Sequence, residues 1–125
     1  MSDPKKNILI IDDDDRNIFA LTATLNAKGF SCVSCIDAHR GLEILQSSTT
    51  IDAVLMDMMM PDMDGYEAIP RMREIDHRQR IPIFAVTAQA MSGDREKCLE
   101  VGANDYISNP IDVDRLLFLL STSIL

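Results

Sequence analysis

The sequence contains no tryptophan, two tyrosines, four phenylalanines and three cysteines among its 125 residues. Three cysteines do not make a disulfide framework, so an apolar core must hold the fold. A chain of this length buries roughly two-thirds of its unfolded surface, which suits a single domain over residues 1–125. No apolar run approaches the ~18 residues of a transmembrane helix. The run Ile8–Ile11 near the N-terminus is also too short for a signal peptide.

Basic residues are also scarce, because 12 Lys and Arg stand against 20 Asp and Glu, for a net charge of −8. A protein that binds duplex DNA or inserts into an anionic membrane usually presents a basic cluster, and none is visible. We therefore expect no direct nucleic-acid partner and no membrane insertion. Cys32 and Cys35 form an isolated C-x-x-C within a predicted strand, where they would point to opposite faces. We interpret them as packing residues of a protein in the reducing cytoplasm.

Short apolar runs alternate with amphipathic stretches five times along the chain. This alternation predicts one doubly wound α/β domain of (βα)5 type, with right-handed crossovers and a parallel sheet covered on both faces. The predicted strands are Asn7–Ile11, Ser31–Cys35, Asp52–Met56, Ile83–Val86 and Asp105–Ser108. The predicted helices are Arg16–Lys28, Ala38–Gln46, Asp64–Ile75, Met91–Val101 and Ile111–Ser121. Pro70 lies inside the third predicted helix and is expected to kink or shorten it.

Polar side chains mark the carboxyl ends of four of these strands. Asp12 and Asp13 end the first strand, Asp57 the third, Thr87 the fourth and Asn109 the fifth. In an open α/β sheet, ligands bind at this edge, in the crevice where the strand order reverses. If the order is 2-1-3-4-5, the first and third strands are neighbours and the three aspartates meet in that crevice.

Three carboxylates in one crevice repel each other, which raises some of their pKa values unless a cation enters. Mg2+ suits such a site, because it takes a few carboxylate oxygens and retains waters. Mg2+ beside a carboxylate is typical of phosphoryl transfer, in which a carboxylate oxygen attacks phosphorus in line. Thr87 is placed to donate a hydrogen bond to a phosphoryl oxygen.

Other acidic and sulfur-containing residues near these strand ends have structural interpretations. Asp14 and Asp15 fit a helix N-cap and a first-turn acid, which the helix dipole favours. Several methionines could suggest a soft-metal site, but only Met56 lies where a strand would bury it. We interpret Met58–Met60 and Met63 as loop packing.

The sequence is compatible with more than one role for two apolar features near the C-terminus. Tyr106 lies in a short edge strand, where simple packing and a functional role are both compatible with the sequence. The run Leu116–Leu120 is more apolar than one helix face requires. Part of it is therefore expected to be exposed or to bind a partner.

Four ordered motifs together resemble the receiver domain of two-component response regulators and hybrid histidine kinases, which has a flavodoxin-like fold. The resemblance spans essentially the whole chain, and the D-x-x-M-P-x-M-D-G run alone is quite specific. The motifs are Ile8-Leu9-Ile10-Ile11-Asp12-Asp13, the run Leu55–Gly65, Val86-Thr87-Ala88 and the run Gly102–Pro110.

The resemblance implies a phosphoaccepting role in a two-component system or phosphorelay. Asp57 would take a phosphoryl group from a phosphohistidine on a histidine kinase or a histidine phosphotransfer protein. Asp13, Asp57 and the backbone carbonyl of Met59 would ligate Mg2+ directly, and Asp12 would act through a water. The domain would catalyse its own phosphorylation and dephosphorylation without a separate substrate.

The resemblance also implies a conformational switch. Thr87 would swing toward the phosphoryl group, Tyr106 would turn inward with it, and the small Ala88 would leave room beside the acceptor. A face formed by the fourth helix, the fifth strand and the fifth helix would bind a downstream protein. The peptide bond between Asn109 and Pro110 is expected to be cis.

One position departs from the family pattern, which places a lysine where this chain has Asn109. An asparagine donates a hydrogen bond but brings no charge. The attraction of a lysine to one phosphoryl oxygen would be about 4 kcal/mol at ~4 Å and an effective dielectric of ~20, much of it offset by desolvation. Two hypotheses follow. Phosphorylation persists while the switch is weakened, or Mg2+ binds more tightly because a competing cation is gone.

Three alternative functions follow from the same residues. A degenerate receiver that works by protein contact alone is favoured by Asn109 and disfavoured by the intact acidic residues. A Mg2+-dependent phosphatase would usually have a second acid two residues beyond its nucleophile, where this chain has Met59. A flavin-binding relative would need a phosphate loop rich in Ser, Thr and Gly after the first strand, whereas Asp12–Asp15 repels phosphate in the absence of metal.

Overall fold

The computed structural model describes residues 5–48, 50–76, 80–88 and 93–124, along which strands and helices alternate. The strands form one parallel sheet in the order β2-β1-β3-β4-β5, which confirms the predicted fold class and strand order. The strands are β1 (Asn7–Ile11), β2 (Ser31–Cys35), β3 (Ala53–Asp57), β4 (Ile83–Thr87) and β5 (Asp105–Ser108). The helices are α1 (Asp15–Ala27), α2 (Ala38–Ser47), α3 (Gly65–Arg73), α4 (Asp94–Glu100) and α5 (Val113–Ile124).

The sheet separates two apolar cores, because successive strand residues point to opposite faces. In β1, Ile8 and Ile10 pack toward α1 and α5, whereas Leu9 and Ile11 pack toward α2, α3 and α4. Cys32 packs against the first core and Cys35 belongs to the second, which confirms that the two thiols lie on opposite faces. Among the helices that the structure describes, none has the length and apolar character to cross a bilayer.

The bounds of β3 differ from the prediction by one residue at each end. The predicted strand begins at Asp52, whereas β3 begins at Ala53. The backbone N–H of Asp52 donates to the carbonyl of Asn7 at 2.8 Å, and its carboxylate accepts from the backbone N–H of Asn7 at 2.7 Å. These contacts place Asp52 just before the strand. Asp57 is paired with Val86 of β4 and is therefore the last residue of β3 rather than the residue after it.

Aspartates at helix starts determine where α1 and α5 begin. The side chain of Asp14 caps α1 by accepting from the backbone N–H of Arg16 at 2.9 Å, and Asp15 lies in the first turn, as predicted. In α5, Asp112 accepts from the backbone N–H of Arg115 at 3.2 Å. Because Asp112 caps it in this way, the helix begins at Val113, two residues after the predicted start.

Helices α3 and α4 are shorter than predicted. Asp64 caps α3 by accepting from the backbone N–H of Glu67 at 3.0 Å, and the helix contains Pro70 without being broken there. It ends at Arg73 rather than at Ile75. The predicted start of α4 at Met91 lies outside the described residues, within which the helix runs over Asp94–Glu100.

The loop from β3 to α3 folds back into the core. Met58, Met60 and Met63 are buried, which confirms their interpretation as packing residues of the loop, whereas Met59 is 59% exposed and that interpretation is wrong for it. Met58 packs closely against the start of α3. A Cβ added at Gly65 would collide with the Met58 side chain and would lie 3.0 Å from its Cα.

Candidate functional site

Three aspartates meet at the carboxyl edge of the sheet. Asp12, Asp13 and Asp57, called the acidic cluster below, each offer a carboxylate oxygen within 4.8 Å of the others. Their proximity follows from the topology, because β1 and β3 are neighbours and Ile11 is paired with Met56. The next residue of each strand is therefore an aspartate at the same edge.

Hydrogen bonds fix the orientation of Asp12, which is 3% exposed. Its Oδ1 accepts from the backbone N–H of Asp14 at 2.9 Å, and its Oδ2 accepts from the side-chain amide of Asn17 at 3.4 Å. Burial raises the pKa of the Asp12 carboxyl, and these two hydrogen bonds oppose the rise. The sequence pattern does not indicate the contact of Asn17 with Asp12, because this contact depends on how α1 docks on β1.

Asp57 is partly buried, and burial raises the pKa of its carboxyl to about 6. The neighbouring charges of Asp12 and Asp13 act in the same direction, whereas a hydrogen bond from the backbone N–H of Met59 to Oδ1, at 3.0 Å, lowers the pKa. In the absence of a cation, the folded domain therefore disfavours ionisation of the Asp57 carboxyl.

The acidic cluster has the ligands that Mg2+ prefers, namely several carboxylate oxygens close together. Within the described residues, none of the ion pairs involves Asp12, Asp13 or Asp57. No arginine or lysine side chain therefore balances the three carboxylates there. Because a divalent cation would balance them, these residues fit Mg2+.

Residues of β4 and of the loop after β5 lie next to this cluster. Thr87 is the last residue of β4 and is 4% exposed, while Ala88 after it is exposed. The β3–β4 register places Thr87 one residue beyond the partner of Asp57. The carbonyl of Thr87 accepts from the backbone N–H of Asn109 at 2.8 Å, and the bond from Asn109 to Pro110 is cis, as the resemblance implies.

A second group of polar residues connects α4, β5 and α5. Asp105 accepts from Arg115 at 2.9 Å and from Arg95 at 3.2 Å. These three residues are called the arginine network below. The guanidinium of Arg115 also lies 5.7 Å from the centre of the Tyr106 ring. Arginines on helices and aspartates in strands are too common for the sequence to indicate this contact.

The structure tests two predictions about apolar residues of β5 and α5. Tyr106 is partly buried and packs against the core on the side of α2, α3 and α4. Within the run Leu116–Leu120, Phe118 is 62% exposed while Leu116 and Leu120 are buried. The expectation that part of this run is exposed is therefore confirmed.

The strand order and the acidic crevice between β1 and β3 define the class of this chain, a flavodoxin-like α/β domain with a carboxylate site at its switch point. Comparison with known families makes the assignment specific. The chain belongs to the response regulator receiver domain family, whose model matches residues 8–121. The resemblance seen in the sequence motifs is thereby confirmed, and the chain is a receiver domain of two-component and phosphorelay systems.

The relatives include a hybrid signal transduction protein and a sensor histidine kinase. The chain is 40% identical over 121 residues to the hybrid signal transduction protein dokA of Dictyostelium discoideum, and the match covers 96% of this chain and 7% of that protein. It therefore spans less than a tenth of that relative's length. The receiver domain of the sensor histidine kinase PA1611 from Pseudomonas aeruginosa PAO1, solved with magnesium in its active site cleft, is 33% identical with a TM-score of 0.88. That alignment covers 97% of this chain and 98% of that chain.

A solved complex shows the same fold in a phosphotransfer assembly. It contains the Saccharomyces cerevisiae histidine phosphotransfer protein Ypd1 and the receiver domain of its downstream response regulator Ssk1. The similarity to this chain has a TM-score of 0.87 at 24% identity and covers 97% of this chain and 90% of that one. At this identity the similarity establishes the shared fold.

Proposed function

We propose that Asp57 accepts a phosphoryl group from a phosphohistidine on a histidine kinase or a histidine phosphotransfer protein. The acidic cluster carries this proposal, because it combines a partly buried strand-end carboxylate with two further carboxylates within 4.8 Å. The histidine-kinase receiver and the phosphotransfer complex among the structural relatives support the partner class.

In the proposed step, a carboxylate oxygen of Asp57 attacks phosphorus and forms an acyl phosphate. The bond from phosphorus to the histidine nitrogen breaks, and its electron pair stays on the imidazole, which then takes up a proton. Asp57 must be ionised to attack, and a pKa of about 6 leaves most of it ionised at pH 7. The Met59 N–H occupies Oδ1 and leaves Oδ2 for the attack.

Mg2+ belongs to the proposal as a cofactor. Asp13, Asp57 and the backbone carbonyl of Met59 would hold it directly, and Asp12 through a water. When bound, Mg2+ offsets the negative charge on the phosphoryl oxygens. The hydrogen bonds from Asp14 and Asn17 keep the Asp12 carboxylate oriented for this task.

Phosphorylation would change the face formed by α4, β5 and α5 through Thr87 and Tyr106. A phosphoryl group adds up to about two negative charges, and the Thr87 hydroxyl would donate a hydrogen bond to one of its oxygens. Ala88 would leave room for this movement, and Tyr106 would turn inward. The exposed side of α4, β5 and α5 would then bind a downstream protein, with Phe118 as an apolar contact.

A second candidate function is a phosphorylation-independent binding module, and Asn109 is the observation that favours it. This position holds a neutral amide, which gives the phosphoryl group no positive charge. In either case we propose that residues 1–125 form one receiver domain, since the family match covers residues 8–121. We propose the cytoplasm as its compartment, because Cys32, Cys35 and Cys98 are free thiols, which suit a reducing environment.

The decisive experiment measures intact-protein mass after incubation with acetyl phosphate, with and without Mg2+. We expect a gain of one phosphoryl group that needs Mg2+ and is absent in Asp57→Asn. Asp105→Asn is the matched control, because it changes an aspartate of the same sheet outside the acidic cluster and should still gain mass. A phosphoryl group on Asp57→Asn would contradict the assignment.

If the wild type gains no mass, beryllofluoride distinguishes the two candidates, since it mimics a stable phosphoryl group. Amide shifts at Thr87 and Tyr106 upon its addition would indicate a working switch with a short-lived phosphoryl group. No shift at either residue would favour the phosphorylation-independent binding module.

A further inference from the structure

A cavity of about 230 Å³ lies beside the acidic cluster, between α1 and the loop from β5 to α5. Its polar lining residues are Asp12, Asn17, Thr24 and Asn109. The rest of the lining is apolar and includes Leu21 and Ile111. The cavity therefore combines a largely apolar wall with a few polar groups, which is the usual character of a small-molecule site.

The charge of the cavity selects for a cation. Among the described residues that line it, Asp12 is the only one with a charged side chain, and none is a lysine or an arginine. The carboxylates of Asp13 and Asp57 lie within 4.8 Å of that of Asp12. An anion would be repelled, whereas an ammonium group would find the Asp12 carboxylate as an acceptor.

The volume suits a compact molecule. An apolar cavity of about 150 Å³ is large enough for benzene. A volume of about 230 Å³ accommodates a ring of that size together with an aminomethyl group. Drug-sized pockets begin at about 300 Å³, so a larger organic cation would not fit entirely inside.

We propose that this cavity binds a small primary ammonium with a compact apolar body, of which benzylammonium is the simplest probe. The ammonium group donates to the Asp12 carboxylate, and the ring packs against Leu21 and Ile111. This site takes a different ligand from the phosphoryl site and does not depend on phosphorylation, so it can be tested on the unphosphorylated protein.

The first test follows backbone amide shifts during titration of metal-free protein with benzylammonium chloride at pH 7.5. We expect saturable shifts at Asn17, Leu21, Asn109 and Ile111. Benzyl alcohol keeps the ring without the charge, and methylammonium keeps the charge without the ring. Each should bind at least about tenfold more weakly, because one half of the interaction is missing. Equal binding of either control compound, or no saturable shifts with benzylammonium, would overturn the proposal.

The second test fills the cavity. Ala20 is exposed on α1 and lines the cavity, so Ala20→Phe should place a ring inside it and weaken benzylammonium binding at least about tenfold. Ala23→Phe is the matched control, because Ala23 is exposed on the same helix and does not line the cavity. Unchanged affinity in a folded Ala20→Phe protein would contradict the assignment.

Asn109→Lys gives an independent check if Ala20→Phe proves poorly folded. Its ammonium group would compete for the Asp12 carboxylate and should weaken benzylammonium binding by about tenfold as well. Undiminished binding to this variant would show that the ligand lies elsewhere.

Discussion

Asp57 and Asp105 are both aspartates of the sheet, one at the end of its strand and the other at the start. The charges around the two residues differ. Asp57 ends β3 beside two more carboxylates, with no ion pair to the acidic cluster in the part of the chain that the structure describes. Asp105 begins β5 and accepts from Arg95 and Arg115. The difference shows that charge balance, rather than residue type, distinguishes a carboxylate available to a ligand from one that joins structural elements.

The largest effect that would test this comparison is on Mg2+ affinity. Under the proposed function, Asp13→Asn removes a direct ligand and should weaken Mg2+ binding by about 10- to 100-fold. Asp105→Asn should leave the affinity within about twofold, because Arg95 and Arg115 already use that carboxylate. Isothermal titration calorimetry of both variants and the wild type measures the affinities. Equal losses in the two variants would remove the distinction.

The next effect disturbs the loop that follows Asp57 without changing a carboxylate. Gly65→Ala should lower the free energy of unfolding by about 1–3 kcal/mol, because the added Cβ meets the buried Met58, including its backbone. Gly41→Ala is the control, since its Cβ would meet only side-chain atoms, of Ile11 and Cys35, that can adjust. Urea unfolding measures both, and a greater loss for Gly41→Ala would contradict the expectation.

The third prediction concerns pH. Because the pKa of Asp57 rises from 3.8 to about 6 on folding, the folded state binds this proton more tightly. Protonation of Asp57 therefore makes its full contribution to the free energy of unfolding below pH 3.8, and this contribution is lost as the pH rises to about 6. The pKa difference corresponds to about 3 kcal/mol for a fully buried group, and solvent screening at this partly exposed side chain reduces the expected effect to about 1–2 kcal/mol.

Asp57→Asn removes this titration and keeps an oxygen that can accept from Met59. Without divalent cations, the variant should gain stability relative to the wild type as pH rises from 4 to 6 and keep the gain at pH 7. Urea unfolding across this pH range measures the difference. A pH-independent difference between the two proteins would show that the charge at Asp57 is not destabilising.

The smallest effect concerns the arginine network. Arg115→Gln should lower the free energy of unfolding by about 0.5–1 kcal/mol, and less at high salt, because the ion pair is partly exposed. Arg40→Gln is the matched control, since its pair with Glu43 is exposed at 3.6 Å and should contribute almost nothing. Thermal melts at two salt concentrations compare them, and a loss in Arg115→Gln no larger than that in the control would count against the network.

The sequence was sufficient to predict the features that local patterns and topology determine. Apolar runs and periodicity predicted the strands and helices, and strand order brought Asp12 and Asp57 together. It did not predict the contact of Asn17 with Asp12 or the pairing of Asp105 with two arginines. Those contacts depend on how helices dock on the sheet and on where long side chains point.

For a related reason, the sequence does not indicate the exact bounds of β3 or the close contact of Met58 with Gly65. Asp52 directly precedes an apolar run, and its carboxylate, rather than a backbone carbonyl, accepts from the backbone N–H of Asn7 just before the strand begins. Met58 follows the strand in sequence, and its burial depends on the close approach of Gly65. Both features are tertiary, so no local pattern indicates them.

The arginine network also protects an open edge of the sheet. β5 is the last strand in the sheet order, and an unpaired strand edge can template pairing with another chain. At Tyr106, the backbone N–H donates to the Asp105 carboxylate at 2.8 Å, and the carbonyl accepts from Arg115 at 3.1 and 3.2 Å. Side chains of the domain itself thus satisfy the backbone groups of Tyr106. An added strand would therefore find no free backbone group at Tyr106, so these contacts oppose edge-to-edge pairing at this residue.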